Sequence, residues 1–182
     1  MTAPFSFTLR GAELRDVGAI VGLIRELAEF ENLTHLLQVT PEKLRPQLFG
    51  ERPAAEALVA ELDGGAKGVG KSGGEIVAFA LFFTNFSTFL AQPGLYLEDL
   101  YVKPEHRGRS IGKALLAKLA RIAVERDYGR FEWSVLDWNE NAIRFYKGMG
   151  ASVMTEWQIC RVTGESLAKL GTCQRKPACS SA

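Results

Sequence analysis

Two stretches of the chain place glycines beside basic residues, a combination that can grip a phosphate group. The first, Gly65-Ala66-Lys67-Gly68-Val69-Gly70-Lys71-Ser72, matches the pattern G-x-x-x-x-G-K-S. A nucleotide loop of that type needs a helix starting at the Lys-Ser pair, so that helix and loop amides hold the phosphates together. Here Gly73 and Gly74 follow, and then an apolar run of strand character. The context therefore predicts a flexible hairpin connection, with Lys67 and Lys71 keeping it soluble. The second stretch is Arg107-Gly108-Arg109-Ser110-Ile111-Gly112-Lys113. A strand pattern precedes it and the clearest helical pattern of the chain follows it. Gly108 permits a tight turn, and Gly112 permits close approach of a backbone or a ligand. The first N–H groups of a helix have no intrahelical acceptor, and the helix dipole favours an anion there. A pyrophosphate fits that description, with Arg107, Arg109 and Lys113 adding positive charge. A capped helix with solvated basic residues fits it equally well on spacing alone.

The elements that must position this loop can be read from periodicity. Residues 5–9 alternate apolar and polar, as a strand does. Asp16 is placed to cap a helix whose apolar positions Val17, Ile20, Val21, Ile24, Leu27 and Ala28 recur at helical spacing as far as Phe30. Thr40 caps a short helix with Pro41 at its first position. Strands are expected over 56–62, 75–86, 95–102 and 131–136, and one or two more over 151–163. A helix is expected over 111–126, with Ile111, Leu115, Leu116, Leu119 and Ile122 on one face. A second runs over 139–148 with a glycine at its end, and a last helical turn covers 165–170. The mixture predicts an α/β (α+β) class, with strands and helices sharing one mixed sheet.

Bulk properties narrow the function classes. The 182 residues are 47% hydrophobic, enough for one domain over 1–170 with its own core. The small, polar residues 171–182 read as a disordered tail. Net charge is +1, so no overall field draws in nucleic acid or an anionic membrane. The longest apolar run, residues 76–83, is strand length and far below the roughly 18 residues of a membrane span. The start of the chain lacks the build of a signal peptide. Three cysteines, Cys160, Cys173 and Cys179, suit a reducing cytoplasm better than a disulfide framework.

The loop resembles the coenzyme A motif of the GCN5-related N-acetyltransferase (GNAT) superfamily, roughly Arg/Gln-x-x-Gly-x-Gly/Ala. Arg107, Ser110 and Gly112 occupy its fixed positions, with Ser110 where glycine is usual. Residues 96–102, 137–147 and 23–31, with Gly150 and Ala151, resemble the diamine (spermidine/spermine) acetyltransferase branch. The similarity extends over residues 5–170. It implies the GNAT fold, a mostly antiparallel sheet of about seven strands flanked by helices, with splayed central strands.

The resemblance also implies roles. Acetyl-CoA would be the cosubstrate, with no metal. Leu100, Tyr101, Val102, Arg107, Gly108, Arg109, Ser110, Ile111, Gly112, Lys113, Asn139, Ala142 and Tyr146 would hold it. An alkylamine of lysine type, with a pKa near ~10.4, arrives protonated, so a carboxylate must accept a proton. Glu98 takes that role by resemblance. Alternation puts Glu98 with Leu100 on one face and Asp99 with Tyr101 on the other, so only one of the two carboxylates easily faces the site. Tyr146 would return a proton to the leaving thiolate. Phe30, Glu31, Glu98, Glu132, Trp133, Ser134 and Glu156 match positions that line the amine site. The expected partner is a small-molecule amine, with the chain a cytoplasmic homodimer that engages neither nucleic acid nor membrane. A protein lysine or N-terminal acetyltransferase, and a coenzyme-A-binding sensor without turnover, remain as alternatives.

Overall fold

A computed structural model describes residues 5–62 and 74–172. The glycine-rich match at 65–72, Cys173, Cys179 and the tail beyond residue 172 lie outside them. The chain divides into two compact units, Met1–Asp137 and Trp138–Ala182.

The first unit holds a five-stranded sheet in the order β1-β2-β3-β4-β5. Its strands are β1 (Phe7–Gly11), β2 (Glu56–Leu62), β3 (Ile76–Ser87), β4 (Gln92–Val102) and β5 (Phe131–Trp133). The first four pair antiparallel, and β5 pairs parallel to β4. The helices are α1 (Val17–Phe30), α2 (Pro41–Phe49) and α3 (Ile111–Glu125).

The apolar periodicities explain the layers. Val17, Ile20, Val21, Leu23 and Leu27 of α1 form one buried cluster with Leu44 and Leu48 of α2 and with Ala57, Val59, Phe79, Leu81 and Tyr101 of the sheet. Residues 77–82 of β3 are buried without a break, as expected of a strand covered on both faces. The other layer is α3, which packs against β2, β3 and β4 through Ile111, Leu115, Leu116, Leu119 and Ala123. Burying each large apolar side chain contributes about 1.5–3 kcal/mol.

Several sequence expectations shift. The first strand begins two residues later than expected, at Phe7. Asp16 precedes α1 but makes no cap hydrogen bond there. Instead it accepts two bonds from Arg10, at 2.6 and 2.9 Å, and one from the Glu13 N–H at 2.7 Å. A guanidinium is the stronger partner for a buried carboxylate than a lone amide. Ala123 replaces Ile122 on the fully buried face of α3. The fifth strand ends at Trp133 rather than residue 136.

The second unit contains α4 (Glu140–Gly148) and α5 (Gly164–Gly171). Residues 151–163 form no strand, so the described sheet has five strands rather than about seven. Val153, Met154, Trp157, Ile159 and Val162 in that stretch are exposed. Apolar, β-branched residues make a strand only where a neighbour completes the ladder, and none of the described strands does so here. The left-handed glycine that closes α4 is Gly150 (φ +93°), not Gly148. The Ala151 and Gly150 N–H groups donate to the Tyr146 and Lys147 carbonyls, satisfying the helix end.

Candidate active site

The loop between β4 and α3 has the geometry of an anion cradle. Gly108 (φ +74°) and Ser110 (φ +65°) are both left-handed, while Arg109 between them is not. Such alternation turns successive N–H groups toward one side. Among the described residues, the N–H groups of Gly108, Arg109, Ser110, Ile111, Gly112 and Lys113 have no acceptor, and the first helical bond comes from Ala114 to the Ser110 carbonyl. These donors sit at the positive end of a fifteen-residue helix. Ser110 directly precedes the first turn of α3, where a serine side chain can cap a helix. It occupies the cap position but makes no side-chain bond, because its left-handed backbone is set for the loop turn.

The basic residues are less free than their spacing suggests. The Arg107 guanidinium lies over the rings of Phe30, at 5.2 Å, and Tyr101, at 5.4 Å, and its Nε donates to the Val102 carbonyl at 2.9 Å. Arg109 lies 4.4 Å over the ring of Phe5. Lys113 is exposed on the first turn of α3 and has no carboxylate partner among the described residues.

Beside the loop, β4 is open along one edge. Its pairing with β5 runs from Leu95↔Phe131 to Leu97↔Trp133 and stops. On that side the backbone from Glu98 to Val102 has no strand partner among the described residues, which is the splay the fold resemblance implied. The hydroxyls of Tyr96 and Ser134 meet at 2.8 Å where the two strands part.

The other edge of β4 carries a β-bulge. Asp99 pairs with Leu81, but the next residue of β3, Phe82, pairs with Leu97, so Glu98 is the extra residue. The bulge breaks simple alternation. Leu97 is buried opposite Phe82, whereas Asp99 stands opposite Leu81, which belongs to the α1 cluster with Tyr101. Glu98 is exposed. Asp99 is half-buried, and burial pushes its carboxyl up to about 6, helped by the charges of Glu98 and Glu31. Glu31, just past the end of α1, is also pushed up by burial. Glu31, Glu98 and Asp99 thus form one electrostatically coupled acidic group beside Phe30. Periodicity alone could not rank Asp99 this way, because a bulge leaves no mark on composition.

Other expected acceptor residues are less available. The Glu132 carboxylate accepts from Asn85 Nδ2 at 2.6 Å and pairs with Arg130 at 3.1 Å. Those bonds hold it within the sheet edge, so its charge is already compensated. A side chain at Gly94 would collide with this cluster, with its Cβ 2.5 Å from Asn85 Oδ1 and 2.8 Å from Arg130 Cγ. Trp133 is half-buried against Phe131, with ring centroids 4.8 Å apart.

In the second unit, Asn139 caps α4, its Oδ1 accepting from the Ala142 N–H at 3.2 Å. Tyr146 lies two turns along the same helix, half-buried, with its ring 5.4 Å from that of Phe145. Glu156 is exposed in the irregular stretch after α4.

Among the described residues no group of three His, Cys, Asp or Glu side chains could hold a metal ion, and no helix is long and apolar enough to cross a membrane.

The acetyltransferase (GNAT) family model matches residues 23–151. The chain is 39% identical over 169 residues to the thialysine N-epsilon-acetyltransferase of Mus musculus, covering 91% of this chain and 97% of that protein. It is 36% identical to an L-ornithine N5-acetyltransferase of Arabidopsis thaliana, covering 87% and 85%. Among solved structures it resembles an integron cassette protein from the mobile metagenome of V. cholerae. That match has a TM-score of 0.73 at 24% identity and covers 93% and 100% of the two chains.

Proposed function

Because the chain belongs to the acetyltransferase (GNAT) family, in its diamine acetyltransferase-like branch, we propose that it moves an acetyl group from acetyl-CoA to a primary amine of a small cationic molecule. The observation that carries this reading is the set of acceptor-free N–H groups from Gly108 to Lys113, beside a β4 edge left open beyond Leu97. The loop amides would hold the coenzyme pyrophosphate, and Lys113 would add charge. The outward-facing backbone of Leu100 and Val102 would offer hydrogen bonds to the coenzyme arm and the thioester oxygen, while the Tyr101 backbone between them faces β3. Acetyl-CoA supplies the activated acetyl group, which the amine nitrogen takes over from sulfur.

The chain's own residues handle the amine and the protons. The acidic group of Glu31, Glu98 and Asp99 favours a cation next to Phe30. Glu98, exposed in the bulge, takes the ammonium proton directly or through water. A second reading gives this task to Asp99. The raised proton affinity of its half-buried carboxyl favours it, since a base is most effective when its pKa lies near the working pH. The Tyr146 hydroxyl returns a proton to the leaving sulfur, and Asn139 and Ala142 set the start of its helix. Thialysine and ornithine, the substrates named for the relatives, both carry a side-chain amine on a short flexible arm. The family resemblance also supports a cytoplasmic homodimer.

The reading is tested by thermal melting. Acetyl-CoA should raise the melting temperature, and ATP with magnesium should not. Stabilisation by ATP alone would overturn it. Glu98→Gln and Asp99→Asn decide between the two bases, because only loss of the true base removes the acid limb of the pH–rate profile.

A further inference from the structure

We infer that Arg107 is a positioning residue for the acceptor amine rather than a ligand of the coenzyme phosphates; this rests on the acetyltransferase reading above. Arg107 opens the loop motif, where its charge suggests a phosphate contact. Its surroundings suggest otherwise. The guanidinium lies over two aromatic rings, Phe30 at 5.2 Å and Tyr101 at 5.4 Å. Its Nε–H is committed to the Val102 carbonyl at 2.9 Å. One side chain therefore joins the start of the loop, the end of β4 and the C-terminal end of α1.

Each partner belongs to a different part of the site. Val102 ends the strand with the open edge. Tyr101 shares the α1 face with Asp99. Phe30 is the last residue of α1 and immediately precedes Glu31, whose carboxylate is coupled to Asp99. To reach an anion in the loop, the guanidinium would have to leave both rings and the carbonyl. The loop N–H groups can hold that anion without it, because none of them has another acceptor among the described residues. What Arg107 does fix is where α1 ends relative to β4, and so where Phe30 and Glu31 stand beside Asp99.

Arginine suits this task and lysine does not. A planar guanidinium lies flat on aromatic faces while an edge N–H points elsewhere. An ammonium keeps the charge but cannot stack over both rings and also bond Val102. The exchange therefore separates charge from geometry. A phosphate ligand would tolerate lysine as a point charge, or lose coenzyme affinity in a salt-dependent way. A positioning residue would lose acceptor binding.

The experiment compares Arg107→Lys, Phe30→Leu and the double variant. Calorimetry gives the acetyl-CoA Kd, and thiol release gives KM and kcat with thialysine as the acceptor probe. We expect Arg107→Lys to raise the thialysine KM about tenfold, with kcat and acetyl-CoA Kd changed less than about threefold. Phe30→Leu should act the same way. The double variant should be little worse than the worse single, because both remove one contact. A tenfold weaker acetyl-CoA Kd with unchanged KM would overturn the inference, and so would independent, multiplying effects. If the wild type does not acetylate thialysine or any other amine, the function reading fails by itself. Calorimetry on Arg107→Ala needs no turnover and still tests the phosphate role: an acetyl-CoA Kd unchanged without the charge rules that role out, and a tenfold weaker one refutes the assignment of Arg107.

Discussion

Asp99 stands opposite Leu81 on the α1 face of the sheet, one step past a bulge that leaves Glu98 without a partner strand residue. Two adjacent carboxylates thereby acquire different environments. Glu98 meets solvent, and Asp99 is half-buried with its proton affinity raised to about 6. Pairs of titratable groups pushed apart by their surroundings are a common basis for acid–base chemistry.

That difference has a consequence for stability. A carboxyl whose folded pKa lies above its unfolded value binds more protons when folded. Its favourable contribution is full below about 3.8 and is lost as pH rises through about 6. Asp99→Asn removes a buried charge above that range. The variant should gain on the order of 1–3 kcal/mol at pH 8 and almost nothing at pH 4, while acceptor turnover falls. Urea titrations at the two pH values check this. An equal change at both would mean that the Asp99 charge is not desolvated.

The left-handed Ser110 predicts a different trade. A residue with a Cβ at φ +65° is strained, and its side chain recovers no cap bond. Ser110→Gly should stabilise the fold by about 0.5–1 kcal/mol and leave acetyl-CoA affinity equal or tighter. Ser110→Val should destabilise it by about 1–3 kcal/mol. Melting curves with and without acetyl-CoA measure both effects. A less stable glycine variant would show that the serine side chain has a role these contacts do not explain.

Local periodicity encodes some of these features, and pairing between distant segments encodes the others. The bounds of α1 and β2 matched because sustained apolar spacing has one good geometric solution, and the face of α3 was right except for Ala123. The strand–loop–helix arrangement around residues 107–113 was legible because a strand pattern, a glycine turn and a helical pattern follow in order. The bulge at Glu98 depends on register between strands, which no single segment encodes. The compensation of Glu132 depends on Asn85 and Arg130, one of them 47 residues away. Residues 151–163 carried strand composition without a described neighbour to pair with. Asp16 looked like a cap because the Arg10 that claims it lies on another element.

The Arg10–Asp16 pair supports the position of α1. Asp16 is 4% exposed, and Arg10 also reaches Glu61 of β2 at 2.7 Å. Burial works against the Asp16 charge, but the bonds from Arg10 and the Glu13 N–H hold its carboxyl below the usual range. Removing Arg10 leaves Asp16 buried with only the Glu13 N–H as a partner, whereas removing Asp16 leaves Arg10 still paired with Glu61. Arg10→Met should cost about 3–5 kcal/mol, and Asp16→Ala should cost less because Arg10 keeps Glu61. Denaturant unfolding of the single variants and the double variant measures the coupling. Additive losses would mean that the pair contributes no energy of its own.

Tyr146 predicts a separation of binding from turnover. Tyr146→Phe keeps the ring against Phe145 and removes only the hydroxyl. Turnover should fall by about two orders of magnitude, with acetyl-CoA Kd changed less than about threefold. A rate equal to wild type would remove Tyr146 from the proton path.

The most direct test of the account is thiol release from acetyl-CoA across a panel of amines containing thialysine, ornithine, spermidine and a lysine-bearing peptide. The account predicts acetyl-CoA-dependent release with one or more of the small diamino compounds. On the second reading, with Asp99 as the base, the rate also rises with pH through about 6 as Asp99 loses its proton. Release with the peptide alone, or with no amine at all, would contradict it.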